Sequence, residues 1–291
     1  MPATHDPRPI GVFDSGIGGL TAVHELFRVL PSESIVYFGD TARLPYGSKS
    51  KETVTRFSLE IATFLVRRNI KCLVVACNTS SSHALDALQR RFEIPVIGVI
   101  EPSVRAALAS SPGGRIGVVG TLATVGSGAY PAAIEKRLPG ANVIARACPL
   151  FVPLVEEGWL DHPVTRMVAE EYLVELRNGH LESLILGCTH YPLIAPLIAE
   201  IMGPVVRLID SGAEAARATA ELLAERGQLA AGPPSHHVYL SDEPRRRSFS
   251  RIARAFLGRE LPPVTVVDQT DLPWFERPHA VSDLDSAERP A

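Results

Sequence analysis

Short runs rich in Val, Ile and Leu alternate with longer amphipathic stretches along the whole chain, a pattern that predicts repeated strand, helix, strand order. Strands are expected at Ile10–Phe13, Ile35–Phe38, Leu73–Ala76, Val96–Val99, Ile116–Val119, Val143–Ala145, Leu184–Leu186 and Val206–Ile209. Helices are expected between them at Gly19–Leu30, Lys51–Arg68, Ser81–Arg91, Pro102–Ser110, Tyr130–Arg137, His162–Asn178, Leu193–Ile201 and Ser211–Glu225. Near-continuous apolar strands separated by amphipathic helices build parallel sheets covered on both faces, so the expected class is α/β.

The same order of parts occurs twice. Ile10-Gly11-Val12-Phe13-Asp14-Ser15-Gly16 opens one half and Ile116-Gly117-Val118-Val119-Gly120-Thr121 opens the other. Asp14 to Cys77 and Thr121 to Cys188 are nearly equally spaced, which predicts two related α/β domains related by a pseudo-twofold, with a site in the cleft between them. After Val206–Ile209 and the Ala-rich helix, short strands at Val238–Leu240 and Val264–Val267 are expected to rejoin the first domain. The expected division is 1–100 plus 208–268, then 101–207, with 269–291 as a loosely ordered tail that carries no chemistry.

Composition narrows the class of partner. At 291 residues, 46% hydrophobic and 21% charged, the chain has a globular make-up and room for one large or two modest domains. A formal net charge of -3 leaves no electrostatic case for nucleic acid, so a small molecule is the expected ligand. No apolar run is long enough to span a bilayer, and Met1-Pro2-Ala3-Thr4-His5-Asp6 lacks a secretory pattern, so no membrane association and a cytoplasmic location are expected. Cys72, Cys77, Cys148 and Cys188 form no Cys-x-x-Cys pair and read as reduced thiols.

Two of those thiols sit at matching places. Leu73-Val74-Val75-Ala76-Cys77-Asn78-Thr79 and Leu184-Ile185-Leu186-Gly187-Cys188-Thr189-His190 each put a cysteine just past a buried strand, where ligands of α/β proteins bind. Only a thiolate is a strong base, so a working cysteine needs donors, positive charge or a helix amino end nearby. Asn78-Thr79-Ser80-Ser81-Ser82 supplies capping residues after Cys77, and Pro192 suits an early helical position after Cys188. Two thiols facing one small molecule suit reversible proton transfer at carbon. Cys72 and Cys148 lack this context and read as inert buried cysteines.

Other motifs say less by themselves. Asp14-Ser15-Gly16-Ile17-Gly18-Gly19 is either a plain strand-to-helix turn or an anion site; it lacks the Lys of a phosphate loop, so a carboxylate fits better than a nucleotide. Gly39 to Ser48 follows a strand and reads as a substrate loop or a surface turn. Glu156-Glu157, Arg245-Arg246-Arg247 and His236-His237 alone read as surface charge and incidental loop residues. Cys188, His190 and His83 match no zinc-ligand spacing, so no metal is expected. No Gly-x-Ser-x-Gly elbow points to a serine hydrolase.

Taken together, Phe13-Asp14-Ser15-Gly16-Ile17-Gly18-Gly19-Leu20, Pro45-Tyr46-Gly47, Ala76-Cys77-Asn78-Thr79 and Gly187-Cys188-Thr189-His190-Tyr191-Pro192 resemble the glutamate racemases of the aspartate/glutamate racemase family. The likeness runs from about Ile10 to Gly258. It implies a cofactor-independent isomerase that interconverts L- and D-glutamate and supplies the D-isomer for peptidoglycan. It further implies that Cys77 takes the α-proton from D-glutamate and Cys188 from L-glutamate, with Asp14 and His190 assisting catalysis. Asp14, Ser15, Pro45, Tyr46, Gly47, Asn78, Thr79, Thr189 and His190 fall at substrate or support positions, and Thr121 and Glu156 are added contributors. A homodimer is the expected assembly. Alternatives are an aspartate racemase or another two-cysteine isomerase of this fold, a thiol hydrolase with one cysteine and a histidine base, and a non-catalytic binding protein.

Overall fold

Strand propensity and burial set two parallel sheets in the computed structural model, which describes residues 5–242, 249–269 and 273–276. The strands are β1 (Ile10–Asp14), β2 (Ile35–Gly39), β3 (Cys72–Val75), β4 (Val96–Gly98), β5 (Arg115–Gly120), β6 (Asn142–Ala147), β7 (Ser183–Gly187), β8 (Arg207–Asp210), β9 (His236–Leu240) and β10 (Val264–Val266). The α-helices are α1 (Leu20–Val29), α2 (Lys51–Val66), α3 (Asn78–His83), α4 (Leu85–Arg91), α5 (Ile100–Ser110), α6 (Leu122–Gly126), α7 (Ala129–Arg137), α8 (Phe151–Glu156), α9 (Pro163–Asn178), α10 (Ala195–Met202), α11 (Ser211–Glu225) and α12 (Phe249–Leu257). The expected α/β class with parallel sheets is the observed one.

Strand order explains where a ligand can bind. One sheet runs β10-β9-β2-β1-β3-β4 and the other β6-β5-β7-β8, every pairing parallel. The orders β2-β1-β3-β4 and β6-β5-β7-β8 are the same permutation of consecutive strands, so the duplication read in the sequence is a duplication of topology. In each sheet the order reverses between its first and third strands, β1/β3 and β5/β7. The gap at such a reversal opens at the carboxyl ends of the strands. Asp14 ends β1 and Cys77 follows β3; Thr121 and Cys188 follow β5 and β7. β1, β3 and β7 are buried along their whole length, as their apolar runs predict.

Several expectations shift. The single helix expected over Ser81–Arg91 is two, α3 and α4, and the first begins at Asn78 because Cys77 itself caps it, its sulfur accepting the Ser80 N–H at 3.4 Å. Asn78 to Ser81 are therefore first-turn residues rather than caps. Pro192 does sit at the start of a helical turn, a 3-10 turn over Tyr191–Ile194 that precedes α10. Helices α6, α8 and α12 were not expected; the first two are only five and six residues long, too short to show a period. β8 pairs with β7, so by sheet membership it belongs with the second half, whereas the boundary expected at 207/208 assigned most of it to the first.

The end of the chain also differs from expectation. Residues 273–276 are not loose: Trp274 is buried, stacked on Phe38 with centroids 5.5 Å apart and tilted on Phe64 at 5.6 Å. It joins the core beneath the first sheet because an indole there covers aromatic surface that β2 and α2 would leave exposed. The Arg245-Arg246-Arg247 run and residues 277–291 lie outside the described residues.

Candidate active site

Both strand-end cysteines line one cavity of about 480 Å³, bounded by Ser15, Leu44, Pro45, Tyr46, Gly47, Ser48, Cys77, Asn78, Thr79, Thr121, Leu122, Pro149, Val152, Pro153, Glu156, Cys188, Thr189 and His190. The topology brings them there, since each comes from the reversal point of a different sheet. Cys72 lies within β3 and Cys148 follows β6; both are buried and neither lines the cavity.

Glycines let the two halves meet. A Cβ on Gly18 would sit 2.5 Å from both Thr189 Oγ1 and His190 Nδ1, and one on Gly47 would sit 2.8 Å from Thr121 Cβ. The glycine-rich turn is thus neither a free anion site nor a plain turn. Its Gly16 N–H donates to Asp14 Oδ2 at 3.0 Å, so the turn's donors are turned inward onto the chain's own carboxylate.

The surroundings of the two sulfurs differ. Cys77 Sγ lies 3.7 Å from Ser15 Oγ and accepts from Ser80 N–H. Burial, with the charge of Asp14, pushes its thiol up to about 12, outweighing the Ser80 and Ser15 bonds that pull the other way. Cys188 Sγ faces His190 Nδ1 at 3.9 Å, and His190 Nε2 pairs with Glu156 Oε1 at 3.1 Å. Burial alone would lower the imidazole's pKa, but the bonds and charges of Cys188 and Glu156 prevail and raise it to about 10. The Cys77 thiol is therefore a neutral acid, and the sulfur of Cys188 lies beside an imidazolium.

The donors around the cavity are held rigidly. The Asn78 amide gives a hydrogen bond to Ser211 Oγ at 3.1 Å and accepts one from Tyr130 OH at 2.6 Å, so α7 and α11 fix its plane. Thr79, Thr121 and Thr124 place three hydroxyls within 3.0 to 3.1 Å of one another across the two halves, and Thr121 caps α6. Thr189 Oγ1 reaches Asp14 Oδ1 at 3.4 Å. Asp14 is itself buried and does not line the cavity. Burial raises its pKa, opposed by the charge of His190 and by the main-chain N–H groups of Gly16, Gly19 and Ser15. Of the expected contact residues it alone lies behind the wall, where it meets Thr189 and its charge bears on Cys77.

Tyr46 also differs from a simple substrate contact. Its hydroxyl donates to Asp40, so it offers the cavity its ring and backbone rather than its hydroxyl. Glu156, ordinary in sequence, becomes a site residue because α8 carries it to His190. Leu44 and Ser48 belong to the loop read as a substrate loop or a surface turn, whereas Leu122, Pro149, Val152 and Pro153 were missed. Pro149 lies two residues past β6, an edge strand that is not buried, so the rule that found Cys77 and Cys188 does not single it out. Among the described residues no group of three or more His, Cys, Asp or Glu is placed to hold a metal ion.

Comparison with known proteins agrees with this arrangement. Residues 16–219 match the model of the Asp/Glu/hydantoin racemase family. A glutamate racemase of Geobacter metallireducens is 53% identical over 258 residues, covering 87% of this chain and 94% of that protein. Among solved structures, a glutamate racemase isoform of Bacillus anthracis superposes with a TM-score of 0.86 at 40% identity, covering 91% of this chain and 99% of that one. The Francisella tularensis glutamate racemase in complex with D-glutamate superposes with a TM-score of 0.84 at 40% identity, covering 90% and 98%. Two like-ordered parallel sheets, a cysteine at the reversal point of each and matches over most of the chain have one meaning: the protein is an isomerase that belongs to the aspartate/glutamate racemase family, among its glutamate racemases.

Proposed function

We propose that the protein interconverts L- and D-glutamate by moving the α-proton between two thiols, without a bound cofactor. One observation carries this reading: a cysteine from each of two like-ordered sheets lines the same small cavity. The name shared by its relatives and the D-glutamate held by the Francisella enzyme support glutamate as substrate.

In the L to D direction Cys188, as a thiolate beside the His190 imidazolium, takes the α-proton. An S–H bond forms as the C–H bond breaks, and the electron pair stays on carbon. The Cys77 thiol then gives its proton to the opposite face, which inverts the centre; the D to L direction exchanges the roles. Charge develops next to a carboxylate that is already negative, so preorganised donors must bear it. Asn78 and the hydroxyls of Ser15, Thr79, Thr121 and Thr189 are the groups available. Leu44, Pro149, Val152 and Pro153 give the cavity an apolar wall that keeps water from the carbanion.

Supply of D-glutamate for peptidoglycan follows from this activity. A cytoplasmic location accords with four free cysteines and with the absence, among the described residues, of any helix long and apolar enough to cross a membrane. The homodimer belongs to the same proposal, and sedimentation velocity decides it.

Incubation of pure L-glutamate with the protein and no added cofactor should end in equal amounts of both enantiomers by chiral chromatography. In heavy water the product should carry deuterium early while remaining substrate stays largely unlabelled. Exhaustive chelation should change neither result. Turnover of aspartate with none of glutamate would move the assignment to an aspartate racemase.

A further inference from the structure

The turn Thr41–Arg43 runs straight into the cavity wall formed by Leu44 to Ser48, yet Arg43 does not line the cavity. Its guanidinium lies behind that wall. Nε is 2.7 Å from Asp40 Oδ2 and 3.0 Å from Oδ1, and Nη1 bonds Glu60. Asp40 has no exposed surface and also accepts from Ser241 Oγ at 2.8 Å and from the Tyr46 hydroxyl. Arg43 therefore neutralises the carboxylate that holds Tyr46.

The other faces of the guanidinium are aromatic. Its carbon lies 4.0 Å from the Phe57 ring centre and 5.5 Å from that of Trp274. Trp274 belongs to the short segment 273–276, beyond the stretch that matches the family model. Arg67 Nη1 bonds the main-chain oxygen of Glu276 and ties this segment to the end of α2. A planar guanidinium that bonds two carboxylates and packs on two rings has a fixed orientation, which an ammonium in its place would not keep.

We propose that Arg43, clamped by Trp274, is a positioning residue for the substrate: through Asp40 it fixes Tyr46 and so the Pro45-Tyr46-Gly47 wall of the cavity. This rests on the racemase reading above. Tyr46 packs beside Cys77 with Val54 and Phe57, but among the described residues none from Leu44 to Ser48 hydrogen-bonds either sulfur, so the wall holds the substrate and does not carry its proton. Loosening it removes binding shared by ground and transition states, which raises KM and leaves kcat.

The test uses full-length Trp274→Ala, Trp274→Phe, Arg43→Lys and the Trp274→Ala/Arg43→Lys pair. Trp274→Ala and Arg43→Lys should each raise KM for both enantiomers about tenfold, with kcat within about twofold of wild type. Trp274→Phe, which keeps an aromatic face, should restore KM to within about twofold, and the pair should be no worse than Arg43→Lys alone. Amide hydrogen exchange over residues 41–48 should quicken in Trp274→Ala and Arg43→Lys. An unchanged KM, whatever the exchange does, would overturn the proposal, as would a fall in kcat at constant KM or independent effects in the pair. If Trp274→Ala does not fold, Arg43→Lys and Trp274→Phe decide. If wild type does not racemise glutamate, the functional reading fails, and the exchange of residues 41–48 still accepts or rejects the clamp.

Discussion

His190 Nε2 lies 3.1 Å from Glu156 Oε1, a pair of a buried imidazole and a partly buried carboxylate that joins the loop after β7 to helix α8. Glu156 holds one ring nitrogen, so the other is turned toward Cys188. The pair thereby sets both the direction of the ring and its charge, and a carboxylate that is unremarkable in sequence becomes the partner of the imidazole that faces Cys188.

This pairing has a pH signature. His190 is raised to about 10 in the folded protein from 6.5, despite burial, by Cys188 and Glu156. The folded state keeps a proton that the unfolded chain releases first. Its stabilising effect is therefore full below about pH 6.5 and is lost as pH rises toward about 10. Urea midpoints measured at intervals across that window should fall for wild type and fall less for His190→Asn. Equal slopes would show that the ring is not charged in the native state.

Replacing either cysteine should end racemisation. A serine hydroxyl is a far weaker acid than a thiol, so Cys77→Ser and Cys188→Ser should each lose at least about a thousandfold in kcat for glutamate. Each variant keeps one base and should still eliminate chloride from one enantiomer of β-chloroalanine. Cys77→Ser should act on the L form and Cys188→Ser on the D form. Attack by both variants on the same enantiomer would refute opposed bases.

Substrate length should matter through the spacing of the cavity walls. Aspartate is one methylene shorter and cannot engage the donors at both ends while its α-carbon lies between the sulfurs. A preference for glutamate of about a hundredfold in kcat/KM is expected, within the range one methylene can confer. Equal values measured by chiral chromatography would place the specificity elsewhere.

Far from the cavity, Lys71 Nζ lies 2.6 Å from Glu33 Oε2 with both side chains buried, and it also donates to the main-chain oxygens of Asp6 and Gln228 at 2.8 Å. It joins the N-terminal segment, the start of β3 and the loop after α11. Lys71→Ala strands the Glu33 carboxylate and should cost about 3–5 kcal/mol in denaturant unfolding, whereas Lys71→Met with Glu33→Leu should cost much less. The catalytic constants of the double variant should match wild type, since neither residue touches the cavity.

The sequence by itself determined the parts of this protein that depend on local pattern. Buried parallel strands must be continuously apolar, so β1, β3, β5 and β7 stand out, and a cysteine that follows such a strand marks the ligand end of a sheet. The order of parts repeated, so the pseudo-twofold was legible before any coordinate. What the tertiary structure alone decided depends on groups distant in the chain. Asp14 withdraws behind the wall because its own turn's amides face it, Tyr46 turns its hydroxyl onto Asp40, and Glu156 arrives at His190 on a helix too short to leave a period. Trp274 looked like part of an unstructured end because a lone indole has no periodicity, and only the rings of Phe38 and Phe64 and the guanidinium of Arg43 give it a place. Pattern records which backbone segments are buried; the direction of a side chain's hydrogen bond or charge contact is set by whatever the fold brings beside it.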